Sequence, residues 1–219
     1  MKRDRIKYDY RLGDIVRGMH LPLVKQRKCH INRLPELIKR NYKNTIAYQY
    51  VVRSKSNNDI DLLHQIVNEF QLANKYVLPG NDEIVIHLRL GDVIENSKYT
   101  PAQHLAESLP SIGPGLPADT KYIEPLQFFI DKIQPYDHID NITLVTSYHM
   151  VSDHVKSNDY LNAIVEYFLS RGKIVSIRDK KHPDDDFVYL CNSKLFLPTR
   201  GHFSYLAKQL VTRNRGTVL

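Results

Sequence analysis

The segment Ile84-Val85-Ile86-His87-Leu88-Arg89-Leu90-Gly91-Asp92 ends an apolar run with a histidine, an arginine and an aspartate in close succession. Strand alternation puts Ile84, Ile86 and Leu88 on one face and Val85, His87 and Arg89 on the other. His87 and Arg89 then project together near the carboxyl end of the strand, and Gly91 makes the turn. An arginine held there suits a phosphate, because its planar fork makes two charge-assisted hydrogen bonds. The competing arrangement is an arginine paired to a nearby carboxylate beside a satisfied histidine. Composition alone leaves both open.

A second group runs from Asp184-Asp185-Asp186 through Lys194-Leu195-Phe196-Leu197-Pro198 to Thr199-Arg200-Gly201-His202-Phe203-Ser204. It reads as an acid-led helix, a short strand, and a tight turn at Arg200-Gly201 that opens another helix. A helix N-terminus after a glycine turn offers outward backbone N–H groups and a favourable dipole for an anion. The three aspartates with His182 could suggest a metal, but no ligand spacing supports one, and the helix dipole accounts for acids in a first turn. Near the N-terminus, Gly13-Asp14 has the form of a glycine turn leading into a helix.

The elements that must position these residues alternate clearly after residue 84. Strands are expected at Ile84–Leu90, Ile142–Thr146, Lys173–Ile177 and Leu195–Leu197. Helices are expected at Glu124–Gln134, Asp153–Arg171, Asp184–Asn192 and Phe203–Arg213. Repeated β-α units with apolar strands imply a parallel sheet covered on both faces, which binds ligands at the carboxyl ends of its strands. Before residue 84, helices are expected at Asp14–Val24, Leu34–Arg40 and Asp61–Tyr76, and a strand at Thr45–Val52. Val77–Asp82, with its Pro-Gly pair, is the best lobe boundary. Five prolines between Pro101 and Pro125 predict a long irregular loop over the cleft, mobile without ligand.

The chain has 219 residues, 42% of them hydrophobic, enough for one large domain or two small lobes. No run approaches the roughly 18 apolar residues of a membrane span, and the charged N-terminus has no secretory character. Cys29 and Cys191 make neither a disulfide framework nor a zinc site, so a reducing, cytoplasmic setting is expected. The net charge of +7 is unevenly spread: residues 1–55 carry 15 Lys/Arg against 4 Asp/Glu, and the remainder 16 against 20. Such a basic segment attracts nucleic acid, phosphorylated ligands or an anionic membrane surface.

Taken together, His87 to Asp92 (HLRLGD) resembles the H-x-R-x-G-D signature of the fucosyltransferase superfamily. The stretch from Asp186 to Ala207 is similar to that group's last donor-binding motif, and Gly13-Asp14 to its N-terminal glycine loop. The resemblance covers about residues 84–211 and implies an α/β, GT-B-like fold of two Rossmann-like lobes with a reduced N-terminal lobe. Residues 1–78 would form a basic acceptor lobe and 79–219 the nucleotide-sugar donor lobe. It further implies that Arg89 grips the donor β-phosphate, that His87 lies near the nucleotide, and that Asp186 accepts hydrogen bonds from the base. Gly13, Thr199, Gly201, His202, Phe203 and Ser204 would line phosphate and sugar. Leu90 stands where the superfamily often has a second basic residue. The implied reaction is metal-independent transfer of a sugar, most simply fucose, from a GDP-sugar to a glycan hydroxyl, with no further cofactor. Asp92 or Asp14 would serve as general base. The rivals are a transferase using another nucleotide-sugar donor, an inactive sugar-nucleotide-binding module, and a nucleic-acid-binding protein. The last would use the tyrosines that interleave with the basic residues of the first 55 as a stacking platform, though no recognition motif supports it.

Overall fold

A computed structural model describes residues 44–56, 58–111, 120–149, 154–179 and 181–219. Gly13, Asp14, the two helices expected before residue 41 and the middle of the proline-rich segment lie outside the described residues. The chain divides into two compact units, Met1–Lys75 and Tyr76–Leu219.

In the first unit, α1 (Ile46–Arg53) and α2 (Ile60–Ala73) pack together. Thr45 caps α1 by accepting from the Tyr48 amide at 3.2 Å, and Asp59 caps α2 by accepting from Leu62 at 3.0 Å. The strand expected at Thr45–Val52 is therefore wrong. Its β-branched and aromatic residues read as strand, but Ile46, Ala47 and Tyr50 fall on one helical face and are all buried. Packing overrode propensity. Arg53 meets Glu69 through two hydrogen bonds, of 2.5 and 3.0 Å, joining the two helices.

The second unit is a mixed α/β, Rossmann-like structure. Its sheet holds β1 (Glu83–Gly91), β2 (Asn141–His149), β3 (Ile174–Arg178), β4 (Leu195–Pro198) and β5 (Thr217–Val218). Their order is β3-β2-β1-β4-β5, and every pairing is parallel. Between strands run α3 (Asp92–Glu95), α4 (Pro101–Ala106), α5 (Leu126–Ile133), α6 (Val155–Ser170), α7 (Pro183–Cys191) and α8 (His202–Arg213). On one face Ile84, Ile86, Leu88 and Leu90 join Ile142, Leu144 and Leu197 in a core with Phe129 of α5 and Ile164 and Phe168 of α6. Alternation turns Val85, His87 and Arg89 to the opposite face, where α8 packs on β4 and α7 on α8. There Val85, Phe187, Phe196 and Leu206 are fully buried.

The proline-rich segment after β1 is less irregular than its composition predicts. Thr100 and Gln103 form a capping box around Pro101, and that proline, lacking an N–H, suits the first helical position of α4. Farther along, the Ser111 amide donates to the Thr120 carbonyl at 2.7 Å and the Tyr122 amide to Ser111 Oγ at 3.0 Å, closing the base of the loop.

Candidate active site at the carboxyl edge of the sheet

Strand order reverses beside β1: β2 and β3 lie to one side, β4 and β5 to the other. In such sheets the crevice above the reversal is where ligands are held. His87 and Arg89 stand there on adjacent positions of the same face. The Arg89 guanidinium donates to Asp92 Oδ1 at 2.8 Å, and its Cζ lies 5.9 Å from the centre of the Tyr122 ring. Its Nε is buried with no hydrogen-bond partner. A buried guanidinium N–H without an acceptor is costly, so this atom is suited to an incoming anion. Asp92 reaches Arg89 because Gly91, at φ 85° and ψ −126°, turns the chain directly from strand into α3.

Beneath Arg89, the His87 ring is locked. Its Nδ1 lies 2.5 Å from Ser204 Oγ, Phe203 stacks beside it at 5.5 Å between ring centres, and Thr199 Oγ1 donates to its carbonyl at 2.7 Å. Burial, with the Arg89 charge adding to it, pushes the imidazole down to about 3. His87 is therefore neutral at pH 7, an anchor between β1 and α8 rather than a proton shuttle. Ser204 is itself buried beneath the turn.

The turn that opens α8 depends on Gly201, at φ 109° and ψ 158°, a conformation essentially reserved for glycine. Gly201 makes no side-chain cap hydrogen bond to this helix, and the start of a helix carries backbone N–H groups without intrahelical partners. Across from Gly201 stands Tyr122, and the Arg200 Nε donates to Glu124 at 2.7 Å, tying the turn to the segment before α5. The Tyr160 hydroxyl, on α6, donates to the Glu124 carbonyl and fixes that segment from below.

Asp186 occupies the first turn of α7, whose N-cap His182 accepts from the Asp184 amide. It faces Arg178 at the end of β3, with 3.5 Å between Asp186 Oδ1 and Arg178 Nε. At that separation the alignment gives an ion pair without a hydrogen bond, and neither of the two buried atoms has a hydrogen-bond partner elsewhere. Burial dominates and raises the Asp186 carboxyl to about 6, against the opposing pull of Arg178. Phe187 and Phe203, 5.1 Å apart between ring centres, connect this corner to His87.

The structure thus places His87, Arg89, Asp92, Thr199, Gly201, His202, Phe203 and Ser204 around the ends of β1 and β4. Asp186 is on the same sheet edge, within the α7 corner. Thr199 and Ser204 point their hydroxyls at His87, so they shape the site from inside. Arg178, Tyr122 and Glu124 are not among the sequence candidates, and Arg200 was read only as part of its turn. Arg178 was legible as the charged residue closing an apolar strand; Tyr122 and Glu124 belong to no local pattern. No group of three metal-ligating side chains occurs among the described residues. A cavity of about 450 Å³ lies elsewhere, between the ends of α5 and α6 near Ile133, Phe168 and Lys173.

No family model matches this chain, and no curated protein does. Among solved structures it resembles POFUT1 in complex with GDP, at 17% identity and a TM-score of 0.37, over 74% of this chain and 46% of that one. POFUT1 in complex with GDP-fucose is similar at 15% identity and a TM-score of 0.37, over 74% and 45%. The chain spans less than half the length of these structures, and overlap at that TM-score does not define a shared fold.

Proposed function

We propose that the chain is a glycosyltransferase moving a sugar, in the simplest case fucose, from a GDP-sugar to a glycan hydroxyl. The observation that carries this reading is Arg89, whose Nε is buried without a hydrogen-bond partner and whose neighbour Tyr122 also faces Gly201 at the start of α8, a helix with no side-chain cap. Guanidinium and helix amides together suit the two phosphates of a nucleotide diphosphate. The charge of the departing diphosphate grows in the transition state, where preorganised donors contribute most. In this reading the Arg89 cation and the dipole of the helix amides take the place of a metal, and the transfer is metal-independent. Asp186, whose buried Oδ1 is ion-paired to Arg178 but accepts no hydrogen bond, takes the N–H edge of the base. Asp92 and Asp14 are the general-base candidates, and Asp92 also orients Arg89. The basic residues of the first 78 take the acceptor.

Thermal melting with GDP, UDP, dTDP and ADP in EDTA tests the donor. A ligand that binds only the folded state at about 100 times its Kd stabilises by roughly 2.7 kcal/mol. GDP alone should raise the melting temperature. A response to UDP or dTDP instead moves the donor class, and no response to any diphosphate removes the assignment.

A further inference from the structure

Arg178 ends an edge strand, and long side chains on such strands ordinarily extend into water. Here its Cζ lies 4.0 Å from the centre of the Tyr189 ring, closer than Arg89 to Tyr122 or Lys98 to Tyr99. Tyr189 is three residues after Asp186 on α7, so the two share a helix face. The ring is buried, and its hydroxyl donates to Glu83 Oε1 at 2.6 Å. Glu83 Oε2 in turn accepts from the Gly80 amide at 2.7 Å. The ring is thus fixed at its hydroxyl by the start of β1 and offers its face to the guanidinium.

We propose that Tyr189 is a positioning residue: its ring holds the Arg178 guanidinium against Asp186, and so keeps that carboxylate charged for the ligand it receives. Only the ligand, the base of a GDP-sugar, rests on the function proposed above; the hold of ring on guanidinium does not. A cation over an aromatic face in a desolvated corner is favourable enough to choose one rotamer over a solvated one. The charges that face Asp186 are Arg178 from β3, Lys181 ahead of α7, and Asp185 in its first turn, with Asp184 turned to His182. Of these, Arg178 is the main one favouring ionisation. Letting it swing away leaves burial nearly unopposed.

The test is carboxyl carbon NMR titration of Asp186 in the full chain, as wild type, Tyr189→Phe and Tyr189→Leu, beside GDP affinity across pH. Wild type should titrate near 6, and Tyr189→Phe, which keeps the ring, should follow it. Tyr189→Leu should move the midpoint up by about one pH unit or more, the usual effect of losing a close opposite charge. GDP affinity of the leucine variant should fall severalfold near pH 6.5 and recover toward pH 8, a pattern that loss of packing does not give. A leucine variant that titrates like wild type overturns the proposal, as does a phenylalanine variant that shifts equally far. Absence of GDP binding by wild type at every pH sinks the GDP reading alone, because the carboxyl titration still decides the role of Tyr189. Should Tyr189→Leu not fold, the Arg178 Nε proton of wild type decides: it should resonate upfield of the other arginines, and an unshifted signal overturns the proposal.

Discussion

Arg89 and His87 sit two residues apart on one strand and divide two tasks. Arg89 is partly open, with a side chain about 30% exposed, and among the described residues its ion pair is to Asp92 on the next turn of chain. Arg89→Ala should therefore leave the fold intact and take away charge-assisted bonds of roughly 1.5–3 kcal/mol each, so GDP affinity should drop at least about tenfold. Arg89→Lys should restore little, since an ammonium lacks the fork. Calorimetric melting beside a GDP titration measures both; an unfolded alanine variant, or one that binds GDP like wild type, contradicts the phosphate role. His87 is closed and neutral, and its effect is on stability. As pH falls, the unfolded chain protonates this imidazole near its ordinary 6.5, whereas the folded chain resists to about 3. The stability it contributes is complete above pH 6.5 and drains between 6.5 and 3, by up to about 1.4 kcal/mol per pH unit. Asp186 works in the opposite sense: its carboxyl is raised to about 6, so its contribution is complete below about 3.8 and lost as pH rises through 6. His87→Asn should flatten the acid limb of a stability–pH curve measured by urea melts, with Asp186 unchanged. An acid limb as steep as wild type would show that His87 titrates normally.

The β4–α8 turn is the element on which the proposed anion site depends. Gly201 has open space where a Cβ would sit, with Tyr122 Cε1 the nearest atom at 3.9 Å. The obstacle to a side chain there is the backbone conformation itself. Gly201→Ala should cost about 1–3 kcal/mol and also weaken GDP binding, because relaxing the strain re-aims the amides of α8. Gly172, at φ 77° after α6, is the matched control, also with open space around it. Gly172→Ala should lower stability by about 1–2 kcal/mol and leave GDP affinity alone. Equal loss of affinity in both variants would mean that α8 merely reports global stability.

At the scale of the whole chain, charge and chemistry are segregated. The basic residues are densest in the first 55, and, Gly13 and Asp14 apart, the residues proposed for the donor site all lie after residue 84. GDP affinity should be the same in EDTA as in added Mg²⁺ or Mn²⁺, measured by titration calorimetry; loss on chelation with rescue by Mn²⁺ would return the Asp184–Asp186 run to consideration as ligands. The basic segment should bind duplex and single-stranded oligonucleotides only weakly at physiological salt. Submicromolar binding that falls steeply with added salt would instead favour nucleic acid as its partner. Among the described residues no helix is long and apolar enough to cross a membrane.

What the sequence determined by itself was whatever depends on neighbours along the chain. Alternation fixed the two faces of β1, and with them the joint projection of His87 and Arg89. Helical spacing fixed α6 and α8 to within a residue or two, and Gly201 marked its turn because a glycine before a helix has few other uses. Tertiary structure decided whatever depends on partners far apart in sequence. Thr45–Val52 became a helix because its apolar residues found a second helix to cover them. The fit of Arg200 to Glu124, of Ser204 to His87, and of Arg178 to a ring eleven residues on arose only when parallel strands brought their carboxyl ends to one edge. Period and propensity are short-range properties, whereas the burial that leaves Arg89 Nε and Asp186 Oδ1 without hydrogen-bond partners is set by elements packed over them from elsewhere in the chain.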